Sequence, residues 1–582
     1  MASRPDPTNG EIAEVLVELG DRYELDGANV HRVLAYRRAA DTIRDTPRSV
    51  AAMVRAGTVT DLDGVGTTLE EKLVALLDTG GIPVLEKLRA KIPEGLLRIT
   101  KLPGLGPKKA RRLHAELGID GPDALRRAIE ERRVRALSGF GARTEERLLE
   151  ALDRADAAAA DGHDGAERVL LPRAREIGDA LVAELRDATG IDPDRIALAG
   201  SARRWAETVH DLDVVAGADD PAAVVAAFAA SDLIARVDRS GEHGASGVTH
   251  SGLGVDLRVV PPDRFGNLLQ HFTGSRAHNV AIREAAVKRG LRVSEHGILD
   301  EATGVTHRFA DEADVYAHLG LTWVDPELRE HRGELELEEA PRLIEPGDLR
   351  GDLHMHTVAS DGRATVEQMA TAARDRGLEY VAITDHSASH GFGDAVSAEQ
   401  LRTLIAEVRD VDARLDGITV LAGSEVNIGT DGGLDYDDDL LAELDWVVAS
   451  VHTAFDRDPT ARIVAACEHP SVDVVGHPTG RLIGSRAPYA VDVEAVIAAA
   501  ARTGTFLEIN GSPRRRDLHE VHARAARDAG VLLCIDSDAH RPDTLANTRW
   551  GIATARRAWL GPDDVANARP WDELRRLRKG GR

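Results

Sequence analysis

Apolar and polar positions divide this chain into stretches of different period. Across NVHRVLAYRRAADTIR (29–44), Val30, Val33, Leu34, Ala40 and Ile43 recur at helical spacing, which predicts a core helix with a basic outer face. IALAGSARRWAETVHDLDVVAG (196–217) reads instead as strand, Gly-Ser turn, strand, and GVDLRVVPP (254–262) alternates as a further strand. After residue 351, short apolar strands alternate with Ala-rich helical stretches such as TVEQMATAARDRG and DVEAVIAAAARTG. That alternation predicts βα units and a parallel sheet or barrel. DRADAAAADGHDGAER (153–168) reads as a linker or exposed helix end, and the charged, proline-bearing stretch 321–351 as a connector. With 582 residues the chain exceeds one hydrophobic core, so several domains are expected.

Three segments share one pattern: LDGVGTTLEEKL (62–73), LPGLGPKKARRL (102–113) and LSGFGARTEERL (137–148). Each places an apolar residue before Gly-x-Gly and then begins an amphipathic helix. The glycines Gly64, Gly66, Gly104, Gly106, Gly139 and Gly141 permit close backbone approach, and the helix start offers unpaired N–H groups to a phosphate. One such turn would fit a plain helix–helix corner. Three, followed by basic or hydroxyl residues such as Lys108 and Lys109, point to DNA backbone contacts. The pattern resembles helix-hairpin-helix modules, which grip DNA without reading bases.

Asp211 and Asp213 alternate on a strand, so both carboxylates share a face, and Asp256 lies on another alternating strand. Like charges this close repel unless a cation lies between them. D-x-D pairs also end ordinary strands as solvated turns, but GS-x-RR upstream and a third strand-borne aspartate sharpen the signal. GSARRWAETVHDLD, followed by VDLRVV and FTGSRAHNVAIR, resembles the nucleotidyltransferase core of a family X DNA polymerase. The resemblance implies that Asp211, Asp213 and Asp256 are catalytic and hold Mg²⁺ or Mn²⁺, and that Gly200, Ser201 and Arg204 bind the triphosphate. It further implies that Phe272, Gly274 and the rest of the FTGS turn shape the sugar pocket, with Asn279 and Arg283 facing the base and template minor groove. His271 stands where the family often has an aromatic residue, so ribonucleotide incorporation is expected. By the same resemblance Lys72 occupies the position of a Schiff-base lysine for 5′-deoxyribose-phosphate lyase chemistry. Its neighbours Glu70 and Glu71 argue for a charged, solvated amine.

The predicted strands after 351 finish in GDLHMHT, YVAITDHS, VLAGSEVN, WVVASVHT, DVVGHPT, FLEINGS and LLCIDSDAH. A lone strand-end histidine is ordinarily a hydrogen-bonding residue. Here the C-terminal rim of a barrel would gather nine imidazoles and carboxylates: His354, His356, Asp361, His386, Glu425, His452, His477, Asp538 and His540. Burying so many without cations is costly, and nine ligands without a thiolate suit up to three divalent cations, Zn²⁺, Mn²⁺ or Fe. The set resembles the PHP (polymerase and histidinol phosphatase) domain. The resemblance implies one metal within His354, His356, Glu425 and Asp538, and a second held by Glu425, His452 and His477. A third would lie between Asp361, His386 and His540. Arg481 and the arginines of PRRR (513–516) are candidates to hold a phosphate, against the plainer reading of surface arginines.

The net charge of −25 by itself opposes a nucleic-acid partner, yet residues 101–112 carry five basic residues and no acidic one. Cys467 and Cys534 alone exclude a disulfide framework and fit a reducing cytoplasm; Cys534, within VLLCIDS, reads as a buried strand residue. No apolar run approaches the roughly 18 residues of a membrane span, and the N-terminus shows no charged-then-apolar leader. The expected fold is therefore multidomain: an all-α helix-hairpin-helix region, an α+β nucleotidyltransferase palm with thumb, and a (β/α)7-type PHP barrel. The expected limits are 1–90 (lyase-like), 91–155 (fingers-type), 156–262 (palm), 263–325 (thumb), 326–347 (linker) and 348–582 (PHP). The expected function is a cytoplasmic, nucleoid-associated, monomeric DNA polymerase filling short gaps in repair from deoxynucleoside triphosphates on gapped or primed duplex DNA. Its PHP domain would be a 3′–5′ exonuclease or an abasic or 3′-end processing phosphodiesterase. The alternatives are a small-molecule phosphatase and a DNA-binding scaffold with an inactive polymerase core.

Overall fold

In the computed structural model the N-terminal helices are built by local signals. The helix Asn9–Asp26 starts at a capping box: the Thr8 hydroxyl accepts from the Glu11 N–H, and the Glu11 carboxylate accepts from the Thr8 N–H at 2.7 Å. It packs on the helix Val30–Arg44 through Val33, Tyr36, Ala39, Ala40 and Ile43. Val30 and Leu34, expected in the core, are 61% and 40% exposed. Tyr36 stacks on Tyr23 with ring centroids 5.4 Å apart, which turns the adjoining flank of the helix, bearing Val30 and Leu34, to solvent. The structure describes residues 6–102, 104–160, 168–389 and 395–579. Residues 161–167 of the expected linker lie outside them, and the part before runs on as the helix Ala142–Ala160.

The chain forms two units. One comprises 1–169, 173–198 and 210–262; the other 170–172, 199–209 and 263–582. The first unit holds the helical region and a five-stranded sheet in the order Ile196–Leu198, Asp211–Gly217, Gly254–Val260, Gly244–Thr249, Ile234–Gly241. Its central pair, Asp211–Gly217 and Gly254–Val260, is parallel, and Asp213 stands directly opposite Asp256. Leu212, Val214, Val255 and Leu257 fill the core face while the aspartates between them stay half-buried, the period-2 alternation at work.

In the second unit the helices Phe265–Thr273, Arg276–Val287 and Glu312–His318 pack around a three-stranded antiparallel sheet. A connector with three one-turn 3₁₀ helices follows. It is tied down by charge. Arg329 is wholly buried, pairs twice with Glu312 and donates to the Val324 carbonyl at 2.8 and 3.0 Å. Arg203 adds two bonds to Glu312 at 2.8 and 2.9 Å. Beyond it, seven parallel strands run in sequence order: Gly351–Asp352, Tyr380–Ile383, Thr419–Asn427, Trp446–Ser450, Val474–Val475, Phe506–Asn510 and Leu533–Asp536. The ring is drawn closed by a Met355–Ala539 bridge, with the His356 N–H on the Ala539 carbonyl at 2.8 Å. Strand residues are buried on both faces, as parallel sheets wrapped in helices require. The predicted stretches form the helices Val366–Asp375 and Val493–Thr503, and Cys534 is buried in its strand.

Glu312 illustrates the cost of these burials. Burial would raise its carboxyl, but Arg329 and Arg203 hold it down, at about 2 against an ordinary 4.5. Glu312→Ala leaves Arg329 buried and unpaired, so urea unfolding should show a loss of about 3–5 kcal/mol. In the parent protein the Glu312 contribution is full above pH 4.5 and should fade as pH falls toward about 2.

Candidate functional site

The three Gly-x-Gly turns repeat one geometry. The first glycine of each has a left-handed backbone, φ 79, 82 and 83° at Gly64, Gly104 and Gly139. The residue between the glycines (Val65, Leu105, Phe140) is buried and anchors the turn. Gly66 and Gly106 then cap the helices Thr67–Thr79 and Pro107–Leu117 without a side-chain hydrogen bond, so the N–H groups of Thr67, Thr68 and, since Pro107 has none, Lys108 have no intrahelical acceptor. Nothing lies within 4 Å of a Cβ built on Gly64, Gly66, Gly104, Gly106 or Gly141, so a phosphate backbone can approach. Lys108 and Lys109 are exposed beside them. Arg112, which donates to the Ser138 carbonyl at 2.9 Å, links the second turn to the third. Lys72, half-buried, donates to the Thr68 carbonyl at 2.9 Å. Burial, with a lesser push from Arg32, lowers its pKa despite Glu71, opposite to the expectation from the acidic neighbours alone.

The parallel register puts Asp213 and Asp256 side by side, with Asp211 two residues along the same face. His210 Nδ1 lies 3.5 Å from Asp211. In the other unit, Gly200 and Ser201 open a single helical turn, Gly200–Arg203. Arg204 is held by Glu330 and the Thr273 carbonyl, both at 2.9 Å. Asn279 organises the neighbouring turn: its amide donates to the carbonyls of His271 (2.8 Å) and Gly274 (3.2 Å) and accepts from Gln270 (3.1 Å). A Cβ on Gly274 would sit 2.8 Å from Asn279, so only glycine fits. The His271 ring lies 5.4 Å from that of Phe272 and 3.8 Å from Glu295, and Arg283 is exposed.

At the barrel rim the structure gathers all nine predicted ligands. His356, Asp361, His386 and His540 form one group; His354, His356 and Asp538 a second; His386, Glu425 and His452 a third, with His477 Nε2 2.9 Å from Glu425. The ligand-bearing ends of the strands supply them, and His477 and Asp538 adopt left-handed backbones (φ 29 and 53°) that non-glycine residues rarely take. His354 Nε2, both ring nitrogens of His356 and Glu425 Oε2 are buried and converge without well-formed hydrogen bonds, Glu425 Oε2 lying 2.8 Å from His386 Nδ1 and His356 Nε2 3.2 Å from Asp538. Protonation states are arranged to match. Burial works against the charged carboxylates, but His452, His354 and His386 hold Glu425 well below the ordinary range, and His354, His356 and Arg515 do the same for Asp538. Burial and the neighbouring His540 and His386 push His356 down to about 3, so it is neutral with one ring nitrogen's lone pair available. Ionised carboxylates and imidazole nitrogens are what divalent cations bind; burial opposes the charge on His354, His386 and His540, but Glu508, Glu425 and Asp361 raise their pKa values, so a cation must displace protons from them.

Sequence reasoning missed Glu508. Its Oε1 accepts from His354 Nδ1 at 2.6 Å, and its Oε2 from the His477 N–H and from Asn510 at 3.2 Å. The signal was the glutamate in FLEINGS, at the same strand-end depth as the ligands. Glu508 fixes the His354 ring with Nε2 toward Glu425 and Asp538. The phosphate candidates separate. Arg515 Nε lies 3.3 Å from Asp538, and its Nη1 is buried without a partner. Arg514 is exposed. Arg481 and Arg516 turn away, onto Glu207 and the Trp205 carbonyl.

Comparison with known proteins agrees with this layout. Family models match for a helix-hairpin-helix domain (7–82), a SAM-like helix-hairpin-helix tandem (57–118 and 96–154), the DNA polymerase beta thumb (268–330) and the PHP domain (352–512). The chain is 37% identical over 565 residues to the DNA polymerase/3′-5′ exonuclease PolX of Bacillus subtilis (strain 168), covering 96% of this chain and 97% of that protein. Probable phosphatases of Shewanella sediminis and a Thermoanaerobacter species match 40% and 37% of this chain, covering 94% and 89% of their own lengths, at 34% and 29% identity.

Replacing Glu508 with Gln should lower Mn²⁺ affinity of the rim cluster about 10- to 100-fold in titration calorimetry, with the fold retained. An unchanged affinity would show that His354 orients without it.

Proposed function

This chain belongs to the family of the DNA polymerase/3′-5′ exonuclease PolX, and from that membership we propose how its residues divide the work. It is a DNA polymerase with a PHP-domain 3′–5′ exonuclease, acting on DNA with deoxynucleoside triphosphates; among the described residues no helix is long and apolar enough to cross a membrane. The observation that carries the division is the pair of carboxylate sites on two different sheets, Asp213 facing Asp256 in one and the nine-ligand rim in the other.

In synthesis, Asp211, Asp213 and Asp256 hold Mg²⁺ or Mn²⁺, Ser201 and Arg204 bind the triphosphate, and the turn braced by Asn279 seats the sugar. The helix-hairpin-helix turns hold a gapped or primed duplex by its phosphates. In degradation the rim residues hold Zn²⁺, Mn²⁺ or Fe, and Arg515, directed at the cluster, neutralises the phosphate being cut. Divalent cations supply Lewis-acid polarisation and charge neutralisation at both sites. The domain limits 1–90, 91–155, 156–262, 263–325, 326–347 and 348–582 follow this division. The chain acts as a monomer at the nucleoid, filling short gaps in repair. The lowered Lys72 amine supports a lyase step on a 5′-deoxyribose phosphate.

Primer extension and degradation of one labelled gapped substrate test the division. Asp256→Ala should lose synthesis about 10²- to 10³-fold and keep degradation; His356→Ala should do the reverse. Loss of both in either variant overturns it, and degradation of small phosphate esters alone would favour the phosphatase alternative. In the same assay His271 should let ribonucleotides enter measurably. Borohydride should trap the chain on an abasic 5′-phosphate, and Lys72→Ala should abolish that trapping.

A further inference from the structure

The turn that carries Ser201 is gripped from outside by the barrel. Gly200–Arg203 is one helical turn, closed by the Arg204 N–H on the Gly200 carbonyl (3.2 Å) and the Ala206 N–H on the Ser201 carbonyl (3.0 Å). So short an element has little stability of its own. Four barrel side chains meet its exit. Arg557 donates to the Arg204 carbonyl at 2.7 Å, and Arg516 to the Trp205 carbonyl at 3.0 Å. Arg481 pairs through both arms with Glu207, one at 3.1 Å, and the Trp550 ring lies 5.7 Å from that of Trp205. Arg557 also bonds Glu330 at 3.0 Å, the carboxylate that takes the Arg204 Nε.

This grip is expensive. Arg516 is fully buried, and Arg557 nearly so. Trp205 sits at φ 55°, a left-handed state that a bulky residue adopts only when its surroundings over-determine it. A seam that served packing alone would be cheaper if apolar. Glu207, His519 and Glu520 also bring ligand-type oxygens and nitrogens together, but Arg481 and Arg557 already neutralise the two carboxylates, so the grouping is an ion-pair brace and not a cation site.

We propose that Trp205 and Glu207 are positioning residues for nucleotide incorporation: the barrel, through Arg481, Arg516, Arg557 and Trp550, holds the end of the turn so that Ser201 and Arg204 keep their aim on the triphosphate. The inference rests on reading Gly200–Arg204 as the triphosphate turn. It makes the hydrolytic domain a structural part of the synthetic site.

The test is single-nucleotide gap filling by the full-length protein, with primer degradation measured on the same preparations. Trp205→Gly removes the ring but suits the left-handed backbone. Glu207→Gln removes the charge, and Arg481→Met and Arg481→Lys remove and restore the partner. The expected result is a rise of about tenfold in the KM for the incoming nucleotide in Trp205→Gly, Glu207→Gln and Arg481→Met, rescue by Arg481→Lys, and unchanged degradation. Ser201→Ala serves as reference. If it raises KM while the three brace variants stay within about twofold of the parent, the brace is overturned and the turn reading stands. If Ser201→Ala leaves KM unchanged, the turn reading falls and takes the inference with it. Parallel loss of synthesis and degradation in the brace variants also overturns it, since the seam then only holds the fold.

Discussion

The barrel rim depends on one constraint: buried ionisable groups must find opposite charge. His354, His356, Glu425 and Asp538 are all nearly solvent-free. Taken out of water singly, the carboxylates would take up protons and the imidazoles would lose theirs. Together they keep the carboxylates ionised and favour protonated His354, His386 and His540, so cation binding must displace protons; Glu425 sits at the centre, contacting His354, His386, His452 and His477. The left-handed backbones of His477 and Asp538 are the geometric counterpart of that electrostatic load. Sheet closure through Met355 and Ala539 supplies the rigidity that sustains both.

The same rule reappears in the connector. Arg329 and Glu312 are buried as a pair, and His278, Glu334 and Tyr316 form a second buried chain with bonds of 2.6 and 3.0 Å. A stretch whose prolines and charges suggest a passive linker is thereby fastened to the helices around it. The brace at Trp205 and Glu207 extends this to the turn Gly200–Arg203. Buried ion pairs and an apolar cluster of Val324, Leu328, Leu343 and Trp559 tie these segments together within their unit.

The carboxylate pair of the other unit obeys the opposite regime. Asp211 and Asp213 are half-exposed, and the parallel register sets Asp213 opposite Asp256. Open, solvated carboxylates keep their charge without partners, whereas buried ones need the opposite charges that the rim supplies.

Much of this was legible in the residues. The three Gly-x-Gly turns, the alternation that put Asp211 and Asp213 on one face, and the strand-end histidines follow from local periodicity, which the chain carries in every few residues. Other features were not. Val30 and Leu34 share the helical period of their neighbours, and only the Tyr23–Tyr36 stack decides which flank faces solvent. The Lys72 environment, the choice of Arg515 over Arg481 and Arg516, and the role of Glu508 depend on side chains distant in sequence. The order and type of the elements, and the ligand types at their ends, were thus determined by sequence alone, because they arise from short-range spacing. Which charges are buried, which partners they meet and which arginine faces the cluster were decided by the tertiary structure, because burial and Coulomb interaction depend on distances that only folding creates.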